Sequence, residues 1–462
     1  NPSASTFTEG VKIDGATGVT VKNIVINNVN SGIYLSSSEN GMIEDNTLSN
    51  NGYGVNLYDS PNTRIMGNTI TSDDGYGIKN DRSHLTIITG NTQSGASTGI
   101  SVTNSNQLTI DGNTFTDHQQ GIYLNNVGQI TVTHNFFYSG AFDRQSLTQS
   151  AIQIDGGGWH TIAFNNISGW AEYGIKVSAT AVSIHNNVIN GAKNAIFLQD
   201  SMGDGQCSGF EKFWLSQNTI NMQSYPEMSN GIIAHNSEKI CYDDNQIIVG
   251  VGTYGDQRSL TLNGDKNSIV KNNYVDAGNY GLTISNSEGT TISGNAVKNV
   301  DKHGIFVSNS QLITITDNTS NDNGDELHDW AHGTGFYLSA SGVGANTITT
   351  MTGNTANNNS HHGFNVDSFS EVTTFADNNA SGNTVKDFKG ICQGSSCVTV
   401  SVDSLNIGQH GTKNGGDCDS VGTWVPSTGA IGGTCTLSKD IQITGNGIGV
   451  RIAYSGVTLD GA

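Results

Sequence analysis

The sequence is poor in charge, in proline and in long apolar runs. Charged residues make up 13% of the 462 residues, well below the usual quarter, and prolines number only 4. The 20 Lys and Arg against 40 Asp and Glu give a formal net charge of −20. This balance argues against nucleic acid and anionic membrane surfaces as partners, because both require clustered positive charge. Since no apolar run is long enough to cross a bilayer, we expect no membrane insertion.

A short strand signature recurs along the chain. It consists of Gly, Ala or Ser, an apolar residue, any residue and, in most copies, a second apolar residue. The basic spacing is 22 residues, as between Gly10 and Gly32, and several steps are longer. The copies begin at Gly10, Gly32, Gly54, Gly77, Gly99, Gly121, Ala151, Gly174, Ala195, Gly231, Ser259, Gly281, Gly304, Gly335 and Gly363.

Each repeat also carries a second alternating strand and a corner with asparagine, such as Gly67-Asn68-Thr69 or Gly112-Asn113-Thr114. Three short strands per repeat cannot bury an apolar face alone but can do so when they stack. The sequence therefore predicts an all-β fold, a right-handed parallel β-helix of about 15 coils with about 22 residues each. Asparagine tolerates left-handed backbone and can bond to the asparagine of the next coil, so we expect a structural ladder at this corner.

The strand signature and the Gly-Asn-Thr corner resemble those of the large parallel β-helix repeat family over residues 10–385. This family includes carbohydrate-acting enzymes, periplasmic nitrous-oxide-reductase maturation proteins and archaeal surface proteins. The resemblance implies the fold and says little about function, because one fold hosts many activities.

The six cysteines favour an extracellular or cell-surface location. None belongs to a pair of Cys-x-x-Cys motifs, and their even number is typical of disulfides. Cys207 and Cys241 follow their signature strands at similar distances, so we expect them to face each other on neighbouring coils. The remaining predicted pairs are Cys392 with Cys397 and Cys418 with Cys435. If the chain is secreted, its sequons offer four candidate glycosylation sites: Asn166, Asn318, Asn358 and Asn379.

The longest steps of the repeat mark insertions, and one of them is rich in carboxylates and imidazoles. Such groups can act as acid and base on a sugar ring or hold a divalent cation such as Ca²⁺. The coil 360–366 is similar to one in mannuronan C-5 epimerases, but that family's Tyr-Gly followed by Asp-Pro-His is absent. We therefore assign no catalytic residue, metal site or cofactor and expect a solvated loop. If the chain is an enzyme, its candidates are Asp325, Glu326, His328, Asp329, His332, His361 and His362.

Other features of a sugar site are weaker in the sequence. The run from Asp155 to His160, with three glycines and Trp159, can line a sugar subsite. The cations are scattered along the chain, so the sequence predicts no basic groove for a polyuronate. Tyrosines on the strands are expected to act as outward spacers or to stack.

The last residues resemble the opening coils of a β-helix. We divide the chain into a rod at 1–403, a disulfide-bearing connector at 404–434 and a strand tail at 435–462. An open coil exposes its apolar core and an unpaired strand edge, and three explanations of the tail compete. The chain is an excerpt of a longer tandem protein, the tail folds back as a small accessory module, or the tail complements the first coil of a neighbouring subunit. We take the third as the working hypothesis. The residues expected to form this contact are Gly10, Val11, Ile13, Val19, Val21, Val450, Ile452, Val457 and Leu459.

The leading hypothesis from sequence is an extracellular structural protein. Its subunits would assemble head to tail into a filament, sheath or surface layer, with the chain itself as main partner and glycans as further partners. The alternative is an extracellular polysaccharide-acting enzyme: a lyase, C-5 epimerase or glycoside hydrolase. A glycan-binding adhesin is the third hypothesis.

Overall fold

The structure is a computed structural model of the chain. It describes residues 9–71, 75–139, 149–169, 172–203, 207, 213–222, 229–250, 257–324, 333–341, 346–367 and 369–389, and the backbone of seven strands between 397 and 461. All regular structure in these ranges is β-strand, and the strands of the rod pair in parallel between successive coils. The predicted right-handed parallel β-helix of about 15 coils is confirmed.

Each coil contains three strands, which we call the signature, second and third strands. The signature strands are Glu9–Asp14, Ser31–Ser36, Tyr53–Tyr58, Tyr76–Asp81, Thr98–Thr103, Gln120–Gly128, Ser150–Ala163, Tyr173–His185, Asn194–Gln199, Asn230–His235, Arg258–Asn263, Tyr280–Ser285, His303–Ser308, Thr334–Ser339, His362–Val366 and Lys386–Lys389. Two of them, Ser150–Ala163 and Tyr173–His185, also include the second strand of their coil.

The separate second strands are Thr20–Lys22, Met42–Glu44, Arg64–Met66, Ile87–Thr89, Thr109–Asp111, Thr131–Thr133, Trp214–Ser216, Cys241–Asp243, Ile269–Lys271, Thr291–Ser293, Ile313–Thr316, Asn346–Thr352 and Ser370–Ala376. The third strands form a 15-stranded parallel sheet. They are Val25–Asn27, Thr47–Ser49, Thr69–Thr71, Thr92–Ser94, Thr114–Thr116, Phe136–Tyr138, Asn166–Ser168, Val188–Asn190, Thr219–Asn221, Gln246–Ile248, Tyr274–Asp276, Ala296–Lys298, Thr319–Asn321, Thr355–Asn357 and Asn379–Ser381.

The core is built from the apolar residues of the signature and their equivalents on the other strands. Within a signature strand the third and fifth residues point inward, as the buried Ile33 and Leu35 do. Parallel pairing in register sets Ile33 beside Val55 and Leu35 beside Leu57 in the next coil. Like side chains therefore stack along the rod, and the first, fourth and sixth residues of each strand face outward.

Asparagines at the corner before the third strands form the expected ladder. The buried Asn113 is typical, since its backbone N–H and its Nδ2 both donate to Oδ1 of Asn135, at 2.9 and 3.1 Å. Its Nδ2 also donates to the carbonyl of Ile88 in the preceding coil at 2.9 Å. The left-handed backbone that the sequence assigned to the asparagine falls one residue earlier, at Gly112 with φ 63°.

One predicted disulfide lies in the described part of the chain. Cys207 and Cys241 are bonded to each other, with a Cα–Cα distance of 5.4 Å. The bond ties the segment after Gly203 to the second strand Cys241–Asp243 of the next coil. The pairs Cys392 with Cys397 and Cys418 with Cys435 involve side chains outside the described residues.

The tail strands have partners in their own chain. Asp440–Ile443 pairs in parallel with Cys397–Val400, and Val450–Ile452 pairs with Leu405–Ile407. Gly433–Leu437 lies between Gly422–Pro426, which is antiparallel to it, and Val457–Gly461, which is parallel. The strands expected to complement a neighbour are thus already paired on one edge, and nothing in the described part of the chain supports a filament.

Candidate functional site

The outward face of the signature sheet changes character along the rod. In its first half the outward positions include Asp14, Asp81 and Asp155 among lysines and tyrosines. From Arg258–Asn263 to Thr334–Ser339, four consecutive strands carry no carboxylate at an outward position, and the next outward carboxylate is Asp367, directly after His362–Val366. At one strand spacing per coil these four strands cover ~14 Å of the rod. We call this stretch the acid-free face.

Four half-buried rings form an aromatic cluster on the acid-free face: Tyr280, His303, Phe306 and Tyr337. The His303 ring lies 4.7 Å from that of Tyr337 and 5.6 Å from that of Phe306, measured between centroids. Tyr280 and His303 are 5.8 Å apart. The cluster exists because the first and fourth positions of parallel strands stack in register, which brings Tyr280 beside His303 and Phe306 beside Tyr337.

Cations border this cluster. The Arg258 guanidinium lies 5.6 Å from the Tyr280 ring centroid, and Lys302 Nζ lies 4.9 Å from it. Lys386 and Lys389 occupy the outward positions of the last signature strand. The sequence predicted scattered cations and no basic groove. In the structure Arg258, Lys386 and Lys389 occupy first or fourth positions of signature strands, and Lys302 directly precedes one. Insertions of different length hide this placement in the sequence.

Two of the candidate histidines lie in the coil next to the acid-free face. The rings of His361 and His362 are 4.0 Å apart, and the His362 side chain is only 2% exposed. Burial, followed by the nearby His361 and Lys389, lowers the pKa of His362 to about 4. Its imidazole is therefore neutral at physiological pH, when it can accept or donate a hydrogen bond but carries no charge.

The other candidates, Asp325, Glu326, His328, Asp329 and His332, lie outside the described residues. The residues on either side of this segment, Gly324 and Gly333, are each hydrogen bonded to a neighbouring coil. Gly324 donates its N–H to the carbonyl of Val300 at 2.7 Å, and His361 donates its N–H to the carbonyl of Gly333 at 2.9 Å.

Two further findings bear on the function classes. Within the described ranges, no group of three or more His, Cys, Asp or Glu side chains is arranged to hold a metal ion. In the same ranges, no helix has the length and apolar character needed to cross a membrane.

The structure also separates the four sequons. Asn166, Asn358 and Asn379 are exposed and open to modification. The Asn318 side chain is fully buried in the asparagine ladder, where its Nδ2 donates to Oδ1 of Asn354 at 3.0 Å. A glycan cannot be attached there in the folded chain.

Several residues of the site were missed from sequence: Arg258, Tyr280, Lys302, His303, Phe306 and Tyr337. The signal was present, because the outward residues occupy the first and fourth positions of the signature strands.

Similarity to solved structures extends over most of the chain but is distant. A periplasmic alginate epimerase (AlgG) is 14% identical, with a TM-score of 0.32, 75% of this chain covered and 77% of the epimerase. The surface adhesin PfbA of Streptococcus pneumoniae is 12% identical, with a TM-score of 0.42 and coverages of 62% and 83%. An alginate lyase from Paenibacillus sp. is 15% identical, with a TM-score of 0.29 and coverages of 55% and 88%. These likenesses concern the fold alone.

Family comparison covers more than half of the chain. A search of curated proteins gives no match. Residues 3–146 match the family described as periplasmic copper-binding protein (NosD). Residues 79–221 and 206–385 match the family described as right handed beta helix region. The chain therefore belongs to the right-handed β-helix family.

Proposed function

We propose that this protein binds an acidic polysaccharide, such as a polyuronate, outside the cytoplasm and along the acid-free face. One observation carries the proposal: an aromatic cluster bordered by cations lies on four strands whose outward positions lack carboxylates. Sugar rings stack on aromatic faces, and guanidinium and ammonium groups pair with carboxylates. The disulfide between Cys207 and Cys241 supports an oxidising, extracytoplasmic location.

The ligand is expected to lie along the rod. Outward positions repeat at every coil, so equivalent contacts recur at a spacing of ~4.8 Å. A polymer with regularly spaced carboxylates and rings can use several of these contacts at once, which gives avidity that a single sugar lacks. A short acidic sugar should therefore bind much more weakly than an oligomer.

Calorimetric titration with oligogalacturonate and oligoalginate tests the proposal. Tyr280→Thr and Arg258→Gln introduce residue types that the same strand position holds elsewhere, in Thr98 and Gln120. Each change should weaken binding about tenfold, since it removes a ring or a charge-assisted contact. The matched control is Tyr53→Thr with Lys79→Gln, a similar pair on the same sheet whose Nζ–ring distance is 5.5 Å. Absence of polyuronate binding, or equal losses in the control, would contradict the proposal.

A second candidate function is elimination or epimerisation at C5 of the bound uronate. It is favoured by the contact between His303 and Tyr337, two groups capable of proton transfer, close to the cations near Tyr280. In a lyase the base takes the C5 proton, the C4–O bond breaks to leave a C4=C5 double bond, and an acid protonates the leaving oxygen. An ultraviolet assay for the unsaturated product, and deuterium exchange at C5, test the two reactions. His303→Asn should abolish either activity and leave oligomer binding measurable.

A further inference from the structure

A second surface feature lies at the turn between the signature and second strands. It is a shallow depression of about 320 Å³, lined by Asn104, Asn106, Asn126, Val127, Gly128, Gly157, Gly158 and Trp159. It belongs to three successive coils in the first half of the rod and shares no residue with the acid-free face. None of its lining residues is charged.

Three glycines, Gly128, Gly157 and Gly158, line the depression. Gly156 and Gly157 have φ of 77° and 82°, and a Cβ on Gly157 would lie 1.7 Å from the carbonyl oxygen of Val127. A Cβ on Gly156 would have no atom within 4 Å. The backbone thus lies flat against the preceding coil, and the space above Gly156 is open.

One wall is an amide ladder with a defined direction. Asn126 Nδ2 donates to Asn104 Oδ1 at 3.0 Å, and Asn104 Nδ2 donates to Asp81 Oδ1 at 3.3 Å. Because an ionised carboxylate only accepts, Asp81 fixes the orientation of both amides. The next residue in this row is Gly156, which has no side chain, so the ladder ends among the described residues with the Asn126 amide.

Trp159 also lines the depression, and it is 53% exposed. Trp159 has φ of 64°, in the left-handed region that the equivalent residues Gln129 and Ala181 also adopt. The following His160 is only 2% exposed, and its Nδ1 accepts the N–H of Ile130 at 3.4 Å. The buried imidazole therefore anchors the turn while the indole projects into solvent.

We propose that this depression, the Trp159 slot, binds one residue of a neutral polysaccharide. A pyranose ring has an apolar face that stacks on indole, and its hydroxyls pair with amides. A phosphate or carboxylate ligand is disfavoured because no cation lines the slot. The site differs in place and in ligand charge from the acid-free face, so it does not rest on that proposal.

The test is calorimetric titration of the full chain with neutral hexasaccharides: cellohexaose, laminarihexaose, mannohexaose and maltohexaose. At least one should bind, and Trp159→Gln should weaken that binding about tenfold or more. Glutamine is the native residue at this position one coil earlier, in Gln129, so the turn can accept it. Asn126→Ala should weaken the same ligand, because it removes the end of the amide ladder.

Leu85→Ala is the matched control. Leu85 is an exposed apolar residue in the equivalent left-handed position on an earlier coil, with φ of 58° and 45% exposure. This change should leave the neutral ligand unaffected, and Trp159→Gln should leave oligogalacturonate binding unaffected. The proposal is overturned if none of the four hexasaccharides binds, or if Trp159→Gln binds them as tightly as the native chain.

Discussion

At the residue scale, the asparagine ladder holds the coils together through buried amides. Asn165 uses nearly all its bonding capacity. Its Nδ2 donates to the carbonyl of Val132 and to Oδ1 of Asn187, at 2.9 and 3.0 Å, and its Oδ1 accepts the Asn135 amide at 3.0 Å. Removing the side chain leaves buried donors and acceptors in two coils without partners, which costs more than the bonds themselves contribute.

Asn165→Ala should therefore lower the free energy of unfolding by about 3 kcal/mol. The adjacent Asn166→Ala is the matched control, because Asn166 is exposed on the outer face of the third sheet and its loss should cost less than about 0.5 kcal/mol. Urea unfolding of the two variants measures the difference. Equal effects would show that the ladder adds little beyond backbone pairing.

A buried carboxyl interrupts a second row of polar residues. Asp265 occupies the turn position that Ser237 and Ser287 hold in the neighbouring coils, and it is 0% exposed. Burial raises the pKa of Asp265 to about 7, although hydrogen bonds from Ser268 and from Tyr242, at 3.4 Å, oppose the shift. Nearby Glu238 adds to the increase.

The folded chain should consequently lose stability as pH rises. Between the ordinary carboxyl pKa of 3.8 and about 7, the folded state retains a proton that the unfolded state has released. Ionisation then costs the folded state on the order of 4 kcal/mol above that range. Asp265→Ser, which restores the residue type of the neighbouring coils, should flatten this dependence. Urea unfolding at about pH 5 and about pH 8 measures it, and an unchanged slope in the variant would contradict the assignment.

At the scale of the element, the sequence predicted the features that are encoded within a few consecutive residues. The signature recurs within one strand, and the asparagine corner within three residues, so strands, coils and ladder were predictable. The Trp159 slot depends on the orientation of two amides and on a ladder that ends at Gly156. Neither property is local, because each arises only when one coil lies against the next.

The disulfide fixes one irregular element to the regular stack. Cys207 lies in an insertion, whereas Cys241 lies in a second strand and pairs in register with Trp214 and Ile269 of the neighbouring second strands. The bond closes a segment with a sequence separation of 34 and so restricts the unfolded chain.

Cys207→Ser with Cys241→Thr should lower the free energy of unfolding by about 2–3 kcal/mol. Threonine suits the strand because Thr291 occupies the same register two coils later. Oligogalacturonate affinity should not change, since both cysteines lie outside the acid-free face. Native protein in reducing agent should match the variant in urea unfolding. If the reduced native chain is as stable as the oxidised one, the disulfide does not stabilise the folded state.

At the scale of the whole molecule, charge is distributed unevenly. The chain carries a net charge of −20, yet the outward positions of four consecutive signature strands lack acids. A polyanion near the acid-free face is therefore attracted locally and repelled by the rest of the rod. The two effects differ in range, because ring and carboxylate contacts are short whereas the repelling charges are spread along the rod.

Salt should separate the two effects. The Debye length is about 30 Å at 0.01 M, about 10 Å at 0.1 M and about 3 Å at 1 M. At the lowest concentration the whole rod repels the polyanion, near 0.1 M only local attraction remains, and at 1 M this attraction is screened too. Oligogalacturonate affinity, measured by calorimetry across this range, should thus pass through a maximum near 0.1 M. Binding of a neutral hexasaccharide at the Trp159 slot should stay constant, since no ion pair contributes to it. An oligogalacturonate affinity that does not change with salt would exclude electrostatic recognition on the acid-free face. An affinity that falls steadily from 0.01 M upward would show that the net charge of the rod does not repel the ligand.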